Sequence, residues 1–276
     1  MGIVDVARRA GVSAGTVSNY LNRPDRVAPE TGIRIQRAID DLGYIGNDAA
    51  RTMRIGRTRT IAVIPFEGTN PAVFDVNAAI EERASELGYN VVIANSAGSV
   101  DRQARYLDLF AAQRVSGILL SPLGTPLERI RGLQRLGIHV VAVGMDWDSS
   151  ICSSVHVDSR EGGRLAAEHL IATGRRRLCF VGGPLDLAPV RDRLSGAEEV
   201  ASRAGAPLSI VTTETRTISD GRLAAQRILA QGDLPDGIFA ANDLIAIGIL
   251  HEFVGSSTVR IPEGLALGGF VGIAFA

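Results

Sequence analysis

The sequence has no lysine and only two cysteines, and it lacks long apolar runs. All 29 basic residues among the 276 are arginine, a compositional feature from which no mechanism follows. Cys152 and Cys179 lack metal-ligand spacing, so they are predicted to be small core residues, with a disulfide as the alternative. No apolar run reaches the length of a membrane span, and the chain starts with a charged helical pattern instead of a signal sequence. We therefore expect a globular, cytoplasmic protein without a membrane role.

The motifs of common enzyme classes are also missing. The glycine pairs at 162–163 and 182–183 do not form a dinucleotide fingerprint after a strand, and there is no phosphate-binding loop ending in lysine and no nucleophile elbow. The histidines have no spaced partners, which favours structural or surface positions over catalysis; they are His139, His156, His169 and His251. We predict no catalytic residues, no metal and no cofactor.

Residues 3–21 have the pattern of two short helices that meet at a sharp turn. An apolar face of the first helix ends at Gly11, Val12 fills the turn, and Ser13 is a typical cap for the second helix. The predicted buried stripes are Val4, Val6, Ala7 and Ala10 on the first helix, and Val17 and Leu21 on the second. The small or polar side chains opposite would let the second helix approach base edges. This pattern favours a DNA-binding helix-turn-helix, with a helical hairpin that only packs as the alternative.

A third helix and a net positive charge support the prediction that this region binds DNA. Ala28, Pro29 and Glu30 begin that helix and Gly43 ends it, which completes a three-helix headpiece near Tyr44. Residues 47–54 are predicted to form a further short helix, which would need a partner surface to persist. Residues 1–60 contain ten arginines against six acidic residues, a net charge of +4, whereas the rest of the chain has a net charge of −5. Local positive charge of this kind is what phosphate binding requires.

From Thr60 onward the sequence alternates short apolar runs with amphipathic helices, which predicts an α/β fold with parallel sheets buried on both faces. The predicted strands are 61–66, 91–95, 117–122, 139–144, 178–183, 208–213 and 237–242, and the first lobe ends near 155–158. The predicted helices are 73–87, 101–113, 127–136, 160–173, 191–204, 220–231 and 243–254. Two such lobes enclose a cleft, and small ligands bind at the carboxyl ends of the strands.

The order of these parts resembles the LacI/GalR (lactose-repressor) family of bacterial transcription regulators. The segments that carry the resemblance are VDVARRAGVSAGTVSNYLN, DLGYIGNDAARTMRIGRTRTIAVI, RVSGILLSP, EGGRLAAEHLIATGRRRLCFVGGP, FAANDLIAIG and RIPEGLALGGF. The resemblance implies a homodimer whose recognition helices bind a pseudo-palindromic operator in double-stranded DNA, at the nucleoid. It also implies a two-lobed, periplasmic-binding-protein-like, doubly wound core that binds a small effector, often a sugar.

The resemblance places the base-reading positions of the second helix at Ala14, Gly15 and Asn19, where the family commonly has larger side chains. Asn19 could read adenine. Helix positioning on phosphates falls to Thr16, Ser18 and Asn22, although capping or solvation is an equal reading for the last two. The hinge helix is expected to form on operator DNA, and its DNA-contacting positions are Ala50, Arg51, Met53 and Arg54. Met53 matches the minor-groove wedge, where leucine is usual; an ordinary apolar contact is the alternative.

In the cleft, the resemblance places the hydroxyl-binding arginine at Arg193 and a ligand-binding asparagine at Asn242, with Ser121 and Phe74 as further positions. Two departures weaken the expectation of a sugar. The aspartate that often follows the strand at 139–143 is Gly144, and a family GYDD or GFDD segment reads Gly269, Phe270, Val271 and Gly272. Each lost acceptor costs about 1–3 kcal/mol per unsatisfied partner. The effector could therefore be a non-sugar, or there could be none.

The expected domains are a headpiece over 1–46, a hinge over 47–57, a first subdomain over 58–158 and an incomplete second subdomain over 159–276. Because family members continue for some tens of residues, we expect a second sheet with an exposed edge prone to association. A truncated chain, a disrupted reading frame and an intact short variant remain open.

Three other functions stay in competition with an operator-binding repressor. A ligand-binding module of periplasmic type without a DNA role is disfavoured by the basic headpiece. A doubly wound enzyme lacks a catalytic constellation. A degenerate regulator that binds DNA without responding to an effector is favoured by Val271, Gly272 and the short C-terminus.

Overall fold

The computed structural model describes residues 2–44, 58–68, 70–256 and 259–273. The predicted hinge helix, with Ala50, Arg51, Met53 and Arg54, lies outside these residues. The chain divides into two compact units, Met1–Thr58 and Arg59–Ala276. Within the described part of the chain, no helix is long and apolar enough to cross a membrane.

The first unit is the predicted three-helix headpiece. Its helices are α1 (Ile3–Ala10), α2 (Ala14–Asn22) and α3 (Pro29–Leu42), with a 3₁₀ turn at Pro24–Arg26. Gly11 and Gly43 end α1 and α3 in the left-handed conformation, with φ of 66° and 56°, which glycine adopts without strain. Proline begins α3, where its missing N–H has no partner to lose.

The headpiece core confirms most of the predicted apolar stripe but not its ends. The buried side chains come from all three helices and are Val6, Ala7, Ala10, Val17, Ile35 and Ala38. Val4 is 58% exposed and Leu21 is 40% exposed, so both predictions were wrong. Two positions before Val6, Val4 lies about 200° around the helix, on the far side. Four positions after Val17, Leu21 has advanced by about 400°, and it lies beyond the edge of the core.

The second unit contains two parallel sheets. The first has the order β2-β1-β3-β4-β5. Its strands are β1 (Thr60–Ile64), β2 (Asn90–Ile93), β3 (Gly117–Leu120), β4 (His139–Val143) and β5 (Ser153–Val155). The crossovers are α4 (Pro71–Glu86), α5 (Val100–Ala112) and α6 (Leu127–Arg135). Side chains alternate along these strands, so Ile64, Ile118 and Val140 pack with α5 and α6, whereas Val63 and Leu119 face the opposite side.

The second sheet has the order β7-β6-β8-β9. Its strands are β6 (Leu178–Gly182), β7 (Leu208–Thr212), β8 (Gly237–Ala240) and β9 (Ala266–Gly268). Its helices are α7 (Ser159–Ala172), α8 (Ala188–Ala204), α9 (Ile218–Gln231) and α10 (Asp243–Ser256). The short edge strands β5 and β9 were not predicted; association through the edge of the second sheet stays a prediction. Helix α8 begins three residues earlier than predicted because Pro189 can occupy its first turn.

Glycines bring the helices of the second lobe into backbone contact. A Cβ on Gly163 of α7 would overlap the carbonyl oxygen of Arg193 on α8, and one on Gly196 of α8 would overlap that of Arg160. The pair α9 and α10 repeats the arrangement at Gly221 and Gly248. The helices can approach this closely only because these positions lack a side chain. The two cysteines are free and buried, as predicted.

Candidate functional site

Helix α2 presents one outer face that the headpiece core leaves open. The Oγ of Ser13 accepts a hydrogen bond from the backbone N–H of Thr16 at 3.1 Å, which confirms the predicted cap. Val17 faces inward and is fully buried. Gly15, Asn19 and Asn22 are exposed on the opposite side. The sequence therefore orients α2 with its predicted base-reading surface toward solvent.

The other predicted DNA-contacting residues of α2 are less free. Ala14 is half-buried and packs against the headpiece core. The hydroxyl of Thr16 lies 2.8 Å from that of Ser13, so it takes part in the cap. The side-chain amide of Asn22 donates to the carbonyl oxygen of Ser18 at 2.7 Å. Asn19 makes no such bond to the described residues that surround it, which makes it the polar side chain on this face best placed to contact a partner.

The orientation of α2 is held by contacts to the neighbouring helices. The hydroxyl of Tyr20 donates to Oε1 of Gln36 on α3 at 3.0 Å. The two helices that flank α2 are joined by an ion pair between Arg9 on α1 and Asp41 on α3, with Nη2 and Oδ2 2.8 Å apart. These bonds are exposed and each is weak, so the buried core supplies most of the stability.

A cavity of about 280 Å³ opens at the carboxyl ends of the strands in the second unit. Both lobes line it. The charged and polar lining residues are Glu67, Asn70, Asn77, Ser121, Arg193, Arg216 and Asn242. The remaining lining is largely apolar and includes Val63, Leu119 and Val143 from the first sheet, and Val73, Val76 and Ile80 from α4. The predicted cleft exists, with the size of a small-ligand site and mainly apolar walls.

Arg193 is a buried cation at this cavity. Its side chain extends from the first turns of α8, and the residue is 7% exposed. Its Nη1 donates to the carbonyl oxygen of Ala241 at 2.6 Å, and the guanidinium carbon lies 3.9 Å from the ring centre of Phe270. The Nε has no hydrogen-bond partner among the described residues. Burial, with the nearby charge of Arg216, lowers the pKa of Arg193 to about 10, and Asp243 offsets part of this effect.

Asn242 lies where β8 passes into α10 and is 5% exposed. Its Oδ1 accepts from the N–H of Ile245 at 2.9 Å, and its Nδ2 donates to the carbonyl oxygen of Arg216 at 3.0 Å. It therefore caps α10 and fixes the backbone of Arg216 as well as lining the cavity. Ser121 also lines the cavity, and its carbonyl oxygen accepts from Nε2 of Gln103 at 2.9 Å. Phe74 is on α4 but is 69% exposed and is not brought into the lining.

Two lining residues, Glu67 and Arg216, were missed in the sequence. Nη2 of Arg216 lies 3.0 Å from Oε2 of Glu67, and its guanidinium lies 4.7 Å from the ring centre of Phe66. Glu67 follows β1 of the first lobe and Arg216 follows β7 of the second, so this ion pair connects the lobes. Both residues come just after a parallel strand, where ligand-binding groups collect. Their position just after a strand was the signal from which both residues could have been predicted as ligand-binding candidates.

The two predicted departures from the family pattern both lie at the cavity. Gly144 and Val271 are lining residues. Val271 has a φ of 106°, a conformation that β-branched residues rarely adopt. The carboxylate of Asp243 holds this turn by accepting from the N–H groups of Gly272 and Ile273 at 2.6 and 2.9 Å. Gly144 therefore presents a hydrogen atom, and Val271 an isopropyl group, where the family pattern has an acidic acceptor.

Known proteins match both units. Residues 2–47 match the model for bacterial regulatory proteins of the lacI family. Residues 58–272 match the model for periplasmic binding proteins and the sugar-binding domain of the LacI family. The HTH-type transcriptional repressor PurR of Vibrio atlanticus (strain LGP32) is 30% identical, and the alignment covers 99% of this chain and 83% of that protein.

Two further relatives agree with these matches. The ribose operon repressor of Escherichia coli (strain K12) is 31% identical, again over 99% of this chain and 83% of that protein. The crystal structure of the lac repressor dimer bound to operator and the anti-inducer ONPF superposes with a TM-score of 0.83 at 25% identity, covering 96% of this chain and 81% of that chain. A helix-turn-helix headpiece, a two-lobed core and these matches lead to one conclusion: the chain belongs to the lacI family of bacterial regulatory proteins.

Proposed function

We propose that this protein is an operator-binding transcriptional repressor whose DNA affinity changes when a small molecule binds the cleft between its lobes. The observation that carries the proposal is the free outer face of α2, with Asn19 exposed on the side opposite the fully buried Val17. A helix oriented in this way can enter a major groove and present its N-terminal half to base edges. The names of PurR and of the ribose operon repressor support the sign of regulation.

We further propose that the protein binds as a homodimer to a pseudo-palindromic site. A two-fold symmetric protein presents two copies of α2, and half-sites one helical turn apart would match them. The lac repressor is a dimer on its operator, which supports this arrangement. Because Gly15 has no side chain and Ala14 is half-buried, few groups on α2 can read bases directly. DNA shape and the predicted hinge contacts of Arg51, Met53 and Arg54 would then provide much of the specificity.

Selection of bound duplexes from a random pool by the full-length chain tests this function. We expect enrichment of a pseudo-palindrome, and a loss of about 10- to 100-fold in affinity for the selected site in Asn19→Ala. Asn22→Ala is the matched control, because the amide of Asn22 is already bonded to its own helix and is not expected to read bases. Any loss of phosphate contact in this variant should lower the affinity for selected and shuffled duplexes alike. Failure of any sequence to be enriched would reject the proposal.

A regulator without ligand response is the second candidate. Val271 and Gly144 remove acceptors from the cavity, which weakens binding of a polyol. Under this alternative the operator is still selected, but no small molecule changes the affinity for it. Operator titrations with a panel of sugars and organic anions distinguish the two candidates.

A further inference from the structure

The charged groups at the cavity do not balance. Among the described lining residues, Arg193 and Arg216 are cations and Glu67 is the single carboxylate. Glu67 is paired with Arg216. Asp243 is close enough to offset part of the cost of burying the Arg193 cation, but it does not line the cavity, so an anionic ligand group would offset more of that cost.

The hydrogen-bond donors of Arg193 are only partly used. One guanidinium nitrogen is bonded to the carbonyl oxygen of Ala241, whereas Nε has no partner among the described residues although the side chain is more than nine-tenths buried. The nearby Asp243 is occupied by the N–H groups of Gly272 and Ile273. A buried guanidinium with unused donors is the group that binds carboxylates and phosphates most strongly in proteins.

Arg216 already holds a carboxylate in the position that a ligand group would take. The carboxylate of Glu67 reaches it from the other lobe at 3.0 Å, and Phe66 lies against its guanidinium. The backbone of Arg216 is fixed by Asn242. The backbone of Arg216 is thus fixed independently of Glu67, and Phe66 would still lie against the guanidinium if a ligand anion replaced the Glu67 carboxylate.

Apart from the polar groups of Asn70, Asn77, Ser121 and Asn242, the rest of the cavity is apolar. Side chains of Val63, Leu119 and Val143 form one wall, and Val73, Val76 and Ile80 form the other. A sugar hydroxyl that faces one of these walls would be left without a partner, at about 1–3 kcal/mol each. An apolar ring or chain would instead gain from burial there.

From these observations we propose that the cleft binds a small organic anion, whose carboxylate or phosphate group contacts Arg193 and Arg216 and whose apolar body lies between α4 and the first sheet. Binding displaces Glu67 from Arg216, which breaks an ion pair between the lobes and makes their relative position depend on the ligand. The inference rests on the proposed function, since it specifies the ligand class of the same cleft.

Calorimetric titration of the full-length chain with matched probes tests the inference. Benzoate, phenyl phosphate and benzamide share one ring and differ in charge, and ribose and ribose 5-phosphate provide the hydroxylated comparison. We expect at least one of the two aromatic anions to bind about tenfold or more tightly than benzamide and than either ribose compound. Which of the two binds identifies the carboxylate or the phosphate as the preferred group.

Three variants locate the binding. Arg216→Gln should weaken the preferred anion about tenfold or more, and Glu67→Gln should strengthen it by up to about fivefold because a competing carboxylate is removed. Arg222→Gln is the matched control: Arg222 forms an ion pair with Glu252 at 3.1 Å outside the cavity, and its loss should leave anion affinity within about twofold.

Several outcomes would overturn the inference. They are equal binding of benzoate, phenyl phosphate and benzamide, no binding of either aromatic anion at millimolar concentration, tighter binding of ribose than of the anions, and equal loss of binding in Arg216→Gln and Arg222→Gln. Operator binding by the same samples, measured in parallel, separates this failure from failure of the proposed function.

Discussion

The two lobes of the core follow the same strand-helix plan but differ in how tightly their helices pack. In the second lobe, β6 and β8 are buried throughout, and α7 with α8 and α9 with α10 meet at glycines with backbone against backbone. Among the described glycines of the first lobe, none brings two helices into backbone contact, and the cavity lies between α4 and the first sheet. The second lobe is therefore a rigid support for Arg193 and Arg216, whereas the first lobe has apolar surface that a ligand can still bury.

This difference indicates which lobe a bound ligand would stabilise more. Filling the space beneath α4 would stabilise the first lobe, because apolar burial contributes about 25 cal/mol per Å². The close-packed second lobe has little left to gain. We expect ligand-induced change to be concentrated in α4 and in the segment around Glu67.

Gly163→Ala tests the tight lobe and should have the largest effect. The added methyl group would overlap the Arg193 carbonyl oxygen, so the two helices must separate, at a cost of about 3 kcal/mol in the free energy of unfolding. Gly132→Ala in α6 of the first lobe is the matched control. Its Cβ would meet only the end of Arg135, 3.8 Å away, so a gain of about 0.5–1 kcal/mol is expected. Equal effects in urea denaturation would contradict the comparison.

A matched pair of Val→Leu substitutions measures the free space in each lobe. Val63 on β1 lines the cavity, so Val63→Leu should stabilise the protein by up to about 0.8 kcal/mol through an added buried methylene. Val181 on β6 is fully buried in the core of the second lobe, so Val181→Leu should destabilise it by about 2 kcal/mol through overpacking. Thermal denaturation shows whether each variant is more or less stable than the wild type. Destabilisation by both substitutions would show that the first lobe has no free space at Val63.

Arg193→Met tests whether the arginine needed for ligand binding destabilises the ligand-free second lobe. Replacing a buried, incompletely paired cation by an apolar side chain should raise the free energy of unfolding of the ligand-free protein by about 1 kcal/mol or more, while anion binding is lost. Because the folded-state pKa is lowered to about 10, wild-type and unfolded arginine are both protonated from pH 6 to 9, and the gain is constant there. Above pH 10 the folded wild type releases its proton first, so the wild type gains stability and the difference shrinks. A less stable variant at pH 7 would contradict this expectation and show that the buried cation is net stabilising.

A local effect of similar size is expected in the headpiece. Ser13→Ala removes the bond to the Thr16 N–H and should lower the free energy of unfolding of the headpiece by about 1 kcal/mol. Thr217→Ala removes the equivalent cap of α9, where Thr217 accepts from the N–H of Asp220 at 3.2 Å. Hydrogen exchange of α2 and α9 reports each change locally. Faster exchange in α9 after Ser13→Ala would contradict independent unfolding of the two units.

Local signals were enough to predict the elements but not the charges at the cleft. Apolar runs such as GILL and caps such as Ser13 and Gly43 depend on neighbours in sequence, so strands and helices were predicted to within a few residues. The strand β9 was missed because three half-buried residues carry no periodicity.

The ion pair of Glu67 with Arg216 joins residues 149 positions apart in two loops, and no local pattern specifies such a pair. Phe74 shows the converse problem. A position in a family pattern identified a residue of α4, but the rotation of that helix leaves its side chain exposed. Arg193 and Asn242 were placed by the family resemblance and not by a local pattern, and both line the cavity.

The most direct test of this account is the affinity of the full-length chain for its selected duplex and for a shuffled duplex of equal composition, measured by fluorescence anisotropy between about 50 and 200 mM salt. We predict that the selected duplex is bound at least about 10³-fold more tightly than the shuffled one, and that both affinities fall as salt increases. Equal affinities for the two duplexes, or binding that does not change with salt, would contradict the assignment of this protein as an operator-binding regulator.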